Sequence, residues 1–223
     1  MAVAGQASEL GARVVVASRR ADTSAKPPSA GGVAQLPVDI VDTTSIRLLC
    51  DRLRDWFGAI DVVVNAAGST RSVPARDLHR LSDDIAEEVY GSNALGPLRL
   101  VRELLPLLQA GTDPVVVQVS SVAARTGQGS NIAYSGAKAA LDAMVVAWAK
   151  AFAPIRFVNV APTALANDFV PGRHPDFLER TIAATPMGRL ATADEVATAI
   201  LVAARCLSMT TGVVIAVDGG RHL

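Results

Sequence analysis

The sequence has no surplus of charge of either sign: Lys plus Arg is 21 and Asp plus Glu is 21 in 223 residues. With no basic run either, it lacks the electrostatic footprint of a polyanion binder, and no nucleic-acid partner is expected. Cysteine is scarce. Cys50 and Cys206 each fall inside an apolar helical pattern and read as two buried free thiols. No disulfide framework is expected, which favours a reducing compartment and a cytoplasmic location. No apolar run approaches the ~20 residues that span a bilayer. The opening MAVAGQASELGARVVV has neither the basic start nor the apolar core of a signal peptide, so no membrane association is expected. No metal site is expected. What is present, 50% hydrophobic and 19% charged residues, is the make-up of one globular domain able to bury a full core.

Short β-branched runs alternate with helical patterns. Residues 12–17, 61–64, 115–119, 155–160 and 213–217 are nearly continuous apolar stretches, which suit strands covered on both faces. Thr43 and Thr44 can cap a helix that runs to about Phe57, where Gly58 stops it. Further helices are expected over about 82–108 and 133–152. Another starts at Thr192, with Glu195 completing a capping box. Strands alternating with helices of this length predict an α/β fold, a doubly wound parallel sheet of the Rossmann type. Residues 22–32, rich in Pro, Gly and Ser, read as a surface loop. Residues 167–186, with Pro171, Gly172 and Pro175, read as a mobile loop over a site.

In such a sheet, ligands bind beyond the carboxyl ends of the strands. There the sequence places Asn65-Ala66-Ala67-Gly68, Ser120-Ser121, Ala161-Pro162-Thr163 and Asp218-Gly219-Gly220. Small residues there let a flat ligand lie close to the backbone, although each segment alone is equally consistent with an ordinary βα turn. Tyr134 and Lys138 shift that balance. They lie four apart in a helical stretch, on one face, in a chain with only two tyrosines. Ser121 precedes Tyr134 by thirteen residues, at a strand end. Asn93 sits mid-helix before Gly96-Pro97, a locally unfavourable combination of the kind that often marks function.

These residues, with Tyr134-Ser135-Gly136-Ala137-Lys138, Val158-Asn159-Val160-Ala161-Pro162 and Val217-Asp218-Gly219-Gly220, stand in the order and spacing of the short-chain dehydrogenase/reductases, and the chain resembles that family over essentially its whole length. The resemblance implies an NAD(P)-dependent oxidoreductase that interconverts a carbonyl and a hydroxyl group on a small molecule. Tyr134 is then the general acid/base, its pKa brought down from about 10 by Lys138 and the oxidised nicotinamide. Ser121 holds the substrate oxygen. Lys138 also bonds the nicotinamide ribose, and Asn93 orders a water that relays protons. The implied cofactor contacts are Ser18, Arg19, Asp39, Ile40, Asn65, Ala66, Ala67, Gly68, Tyr134, Lys138, Pro162 and Thr163. Ser18-Arg19-Arg20 offers no carboxylate where NAD-specific members carry one, so NADP is the expected cofactor, with NAD also open. The same arginines can equally be solvated loop charges. The resemblance further implies a homodimer or homotetramer built through the helices at about 82–108 and 133–152.

The sequence departs from the family pattern in three places. Thr163 stands where Pro-Gly is usual, and Asn167 stands where a Thr is usual, though it can still bond a carboxamide. The third departure is at the front. The family opens with a strand and a Thr-Gly-x-x-x-Gly-x-Gly loop, whereas Met1–Ala12 resembles only the helix that follows. The first strand and the phosphate-binding loop are therefore expected to be missing, the reading frame to start upstream and dinucleotide binding to be poor. Residues 12–17 and 61–64 should then lack a shared neighbour, leaving the domain unfolded, swapped or rearranged. Two other readings stay open: a catalytically silent binding or regulatory protein on the same fold, and an extended-type epimerase or dehydratase, for which the chain is short. Phe169, Phe177, Leu178, Ile182 and Met187 offer an apolar substrate lining, fit for a hydrophobic ketone or an oxoacyl thioester among others.

Overall fold

The computed structural model of the protein describes residues 1–21, 25–167 and 169–223. The strands are β1 (Val14–Ser18), β2 (Val33–Pro37), β3 (Val62–Asn65), β4 (Val115–Val119), β5 (Arg156–Pro162) and β6 (Val213–Val217). The helices are α1 (Ala2–Glu9), α2 (Thr43–Phe57), α3 (Asp83–Tyr90), α4 (Gly96–Gln109), α5 (Ala123–Thr126), α6 (Ile132–Ala151), α7 (Phe177–Ala183) and α8 (Ala193–Arg205). All paired strands run parallel, in two separate sheets: β1–β2, and β3–β4–β5–β6. Register in the larger sheet runs Val62 to Val115, Val115 to Arg156 and Val158 to Val213.

This is the expected α/β architecture, with helices on both faces. Side chains alternate across a strand, so Val116 and its neighbours at 115 and 117 serve opposite cores. Val116 and Phe157 pack with Ile46 and Leu49 of α2, Leu104 and Leu108 of α4, and Leu141 and Trp148 of α6. On the other face Val115, Val117 and Val160 meet Val196 and Ile200 of α8, with Val3 of α1 against them. Arg156 is buried, and its guanidinium donates to the carbonyls of Ala203, Ala204 and Leu207 at 3.0, 2.6 and 3.3 Å. It thereby fastens β5 to the last turn of α8, where helical carbonyls lack partners.

The division of the sheet falls where the sequence leads one to look. β1 pairs only with β2 and β3 only with β4, so among the described residues the two share no neighbouring strand, and Val62 is 43% exposed.

Other expectations are amended. β2 was not foreseen: VAQLP is short, ends in Pro and hides its signal in alternation, with Ala34 and Leu36 buried and Val33 and Gln35 exposed. Asp42, not Thr43 or Thr44, caps α2, its carboxylate accepting from Thr44 N at 2.8 Å. The capping box at Thr192 and Glu195 is present. The 167–186 stretch is not all loop, since α7 lies within it. Of the 22–32 loop, residues 22–24 lie outside the described residues, and the rest forms neither helix nor strand. Cys50 is buried, but Cys206 is exposed, because it follows the last turn of α8 rather than lying on its inner face. No described helix is long and apolar enough to cross a membrane.

Candidate active site

Parallel pairing puts the carboxyl ends of β3, β4, β5 and β6 along one edge of the sheet, and the predicted residues gather there. Tyr134 stands in the first turn of α6. Asn131 caps that helix, accepting from Tyr134 N at 2.7 Å, while its amide nitrogen donates to Thr70 Oγ1 and Arg71 O at 3.1 and 2.8 Å. One side chain thus ties the start of α6 to the segment after β3. Gly136 leaves room for Tyr90 of α3, whose hydroxyl would lie 2.4 Å from an added Cβ.

Tyr134 is buried, and burial pushes its pKa up to about 12; the Ser121 hydroxyl and the Arg173 charge oppose that rise. Lys138 is not among the groups that oppose it in the chain alone. Lys138 Nζ lies 5.8 Å from the Tyr134 ring centroid and donates to Val119 O at 2.7 Å, so its charge is directed at a carbonyl of β4 rather than at the phenol oxygen. Lys138 is itself fully buried, which draws its pKa down to about 8, partly offset by Asp142 one turn further along α6. Asp142 accepts from Asn159 Nδ2 of β5 at 2.6 Å, and its own pKa is raised by burial.

Asn93 explains the unfavourable Gly-Pro that follows it. Residues Gly91–Leu95 form a π-helical turn between α3 and α4, a distortion that is common at functional sites. Pro97 falls in the first turn of α4, where its missing N–H is harmless. Gly96 allows the close approach of Ile40: a Cβ there would lie 2.9 Å from Ile40 Cγ1 and 3.1 Å from Ile40 O. The wide turn aims Asn93 inward. Its amide nitrogen donates to Ser69 O and Val89 O at 2.7 and 2.9 Å, leaving Oδ1 buried, without a partner and against Gly68, whose added Cβ would lie 2.5 Å away.

The remaining predicted residues divide. Asn65 is turned inward, donating to Gln118 Oε1 at 2.7 Å and accepting from Ala67 N at 3.1 Å, so it staples β3 to β4 and shapes the turn that exposes Ala66 and Ala67. Pro162 and Thr163 are buried at the end of β5, and Thr163 N already donates to Val217 O at 3.3 Å. Ser18 and Arg19 are exposed at the end of β1. Asp39 and Ile40 follow β2; an Asp39 oxygen accepts from Val41 N at 3.1 Å. Of the apolar lining, Phe169 meets Tyr134 edge-on at 6.2 Å between centroids, whereas Met187 is 63% exposed beside Gly219. Sequence reasoning missed Asn131, Asp142 and Arg173, and took Asn159 only as part of the motif Val158-Asn159-Val160-Ala161-Pro162. Only Asn131 carried a signal, as a cap residue just ahead of a helical run.

The family model described as enoyl-(acyl carrier protein) reductase matches residues 1–222. The chain belongs to the short-chain dehydrogenase/reductase family. It thereby falls among NAD(P)-dependent oxidoreductases. The chain is 33% identical to a cis-4-hydroxycyclohexanecarboxylate dehydrogenase of Sinomonas cyclohexanicum, over 96% of this chain and 88% of the relative. It is 31% identical to the rhamnolipids biosynthesis 3-oxoacyl-(acyl-carrier-protein) reductase of Pseudomonas aeruginosa, with the same coverage of each. Among solved structures, an NADH-dependent reductase responsible for alginate metabolism superposes with a TM-score of 0.84 at 28% identity, covering 99% of this chain and 91% of that one. In the frame of the family, the cluster of Ser121, Tyr134 and Lys138 occupies the edge of the sheet where its ligands bind.

Proposed function

We infer that this short-chain dehydrogenase/reductase reduces a carbonyl group, or oxidises the matching alcohol, with Tyr134 as general acid/base. The observation that carries the reading is the buried Tyr134 hydroxyl, flanked by Ser121 and backed by Lys138 one helical turn away. At neutral pH the phenol carries its proton, so the acid form is the one that would meet a carbonyl oxygen. Ser121 would hold that oxygen beside Tyr134, and Phe169 meets the phenol ring edge-on. The partnerless Oδ1 of Asn93 is a buried acceptor able to fix the water through which Lys138 would exchange protons.

The residues present fit the nicotinamide end of a dinucleotide. Lys138 is a buried ammonium with one hydrogen bond, to Val119 O, and has donors to spare for a ribose. At the end of β3 the exposed Ala66 and Ala67 present backbone with only small side chains, while Gly68 lies against Asn93 Oδ1. At the other end Ser18, Arg19, Asp39 and Ile40 would meet the adenosine, and the Arg19 guanidinium favours the 2′-phosphate of NADP. When bound, the nicotinamide supplies or accepts the hydride. Between the two ends, the described residues include no glycine-rich turn to cradle a pyrophosphate. The relatives' names, a hydroxycyclohexanecarboxylate dehydrogenase and an oxoacyl reductase, fit a cyclic or linear oxo compound as substrate. The test is a panel of ketones and oxoacyl thioesters with NADPH. Ketone-dependent loss of reduced-nicotinamide absorbance is expected; no turnover across the panel contradicts the reading.

A further inference from the structure

The loop after β5 carries a cation that the reading above does not use. Arg173 lies in the wall of a hollow of about 490 Å³, together with Asn167, Val170, Pro171, His174 and Leu178. Its guanidinium rests 4.6 Å from the centroid of the Phe177 ring, and Nη1 donates to Leu165 O at 3.3 Å. Nε is buried and has no partner among the described residues. No described carboxylate pairs with Arg173: Asp176, three residues on, is engaged by His174 and Arg180. A buried donor on a charged group costs free energy until an acceptor completes it.

The same cation is felt at Tyr134. Arg173 draws the phenol pKa down and Tyr134 in turn favours the charged guanidinium. Phe169, from the same loop, lies edge-on to the Tyr134 ring. The loop that walls the hollow thus reaches the Tyr134 ring through Phe169. The described side chains that line the hollow include no acid beside the guanidinium. A planar guanidinium pairs with a carboxylate through charge-assisted bonds from its accessible nitrogens.

We propose that Arg173 is the specificity residue of this site and binds a carboxylate carried by the substrate, a short chain away from the carbon that reacts. The substrates are then oxo acids or hydroxy acids rather than neutral ketones. This deepens the reading of Tyr134 as the acid/base and rests on it.

The test is binding to the whole chain, without cofactor, of 4-oxopentanoate and of its uncharged methyl ester, followed by ligand-observed NMR. The wild type should bind the acid at least about tenfold more tightly than the ester, the usual worth of a charge-assisted pair. Arg173→Lys should keep only part of that ratio, because an ammonium keeps the charge but not the planar fork, and Arg173→Gln should bring it to about one with the fold intact by circular dichroism. Equal binding of acid and ester by the wild type, no binding of either, or a ratio preserved in Arg173→Gln would overturn the proposal. So would an Arg173→Gln variant that loses NADPH affinity and keeps the acid-to-ester ratio. NADPH oxidation is read separately on the same samples. Arg173-dependent acid binding without any ketone-dependent NADPH oxidation supports the carboxylate site and contradicts the reductase reading.

Discussion

Lys138 and Asp142 lie one turn apart on α6, inside the protein, and are not joined by a hydrogen bond: the ammonium donates to Val119 O at 2.7 Å and the carboxylate accepts from Asn159 at 2.6 Å. Their attraction sustains the charge on each against burial, which draws Lys138 down to about 8 and raises Asp142.

This gives stability a definite dependence on pH. Below pH 8 both folded and unfolded states hold the Lys138 proton, and the folded state bears the full burial cost, of order 3 kcal/mol. Between pH 8 and 10.5 the unfolded chain holds a proton that the folded protein has released, so Lys138 makes stability rise with pH. Cys50 acts in the other direction. Its buried thiol is raised from 9.0 to about 11, so stability falls as pH rises through that interval. Tyr134, raised from 10.0 to about 12, adds a further fall. Denaturant melts should show stability rising from pH 8 to 9 and falling above about 10.5. Lys138→Met should abolish the rise, and a rise that survives in that variant contradicts the assignment.

Gly96→Ala should destabilise by about 1–3 kcal/mol, the range for forcing atoms into a filled space, because its Cβ would meet Ile40 Cγ1 at 2.9 Å and two backbone oxygens at 3.1 Å. Chemical denaturation measures this. A neutral substitution would mean that the π-helical turn presenting Asn93 is not held against Ile40.

The cofactor preference should reside at the end of β1. Arg19 and Arg20 are exposed and make no ion pair with a described residue. Replacing both by alanine should lower the ratio of NADPH to NADH affinity by about tenfold or more, since a charge-assisted bond to phosphate is lost. Fluorescence titration with each cofactor reads the ratio, and an unchanged one would return both arginines to the role of solvated charges.

Association is expected through α6 and α4. Ile132, Ala139, Ala143, Val146 and Ala147 form an exposed apolar stripe along α6, and Leu95 and Leu98 lie exposed at the start of α4. Small residues let helices approach closely. Light scattering at micromolar concentration should give a dimer or tetramer that Val146→Glu weakens. A wild-type monomer contradicts this.

Much of this was legible in the sequence. Five of six strands, the long helices and the split between β1 and β3 follow from apolar runs of known length and a family order. Periodicity placed Tyr134 and Lys138 on one helix face and Ser121 at a strand end, while the roles given to them and to Asn93 came from the family resemblance. What escaped depends on contacts between segments distant in sequence. β2 carries only two buried positions, Ala34 and Leu36. Asp142 gains its meaning from Asn159 on another element, and Arg173 from a loop that folds back on Tyr134. The sequence puts Lys138 on the same helix face as Tyr134 but cannot show its ammonium turned to Val119 O.

The central claim is that the Tyr134 hydroxyl moves the proton at the substrate oxygen. The measurement is the rate of ketone-dependent NADPH oxidation, at saturating cofactor, by the wild type and by Tyr134→Phe, with thermal melts on both. The account predicts a loss of turnover of about 100-fold or more with the melting temperature nearly unchanged, because only one hydroxyl is removed. Near-native turnover in Tyr134→Phe would contradict it.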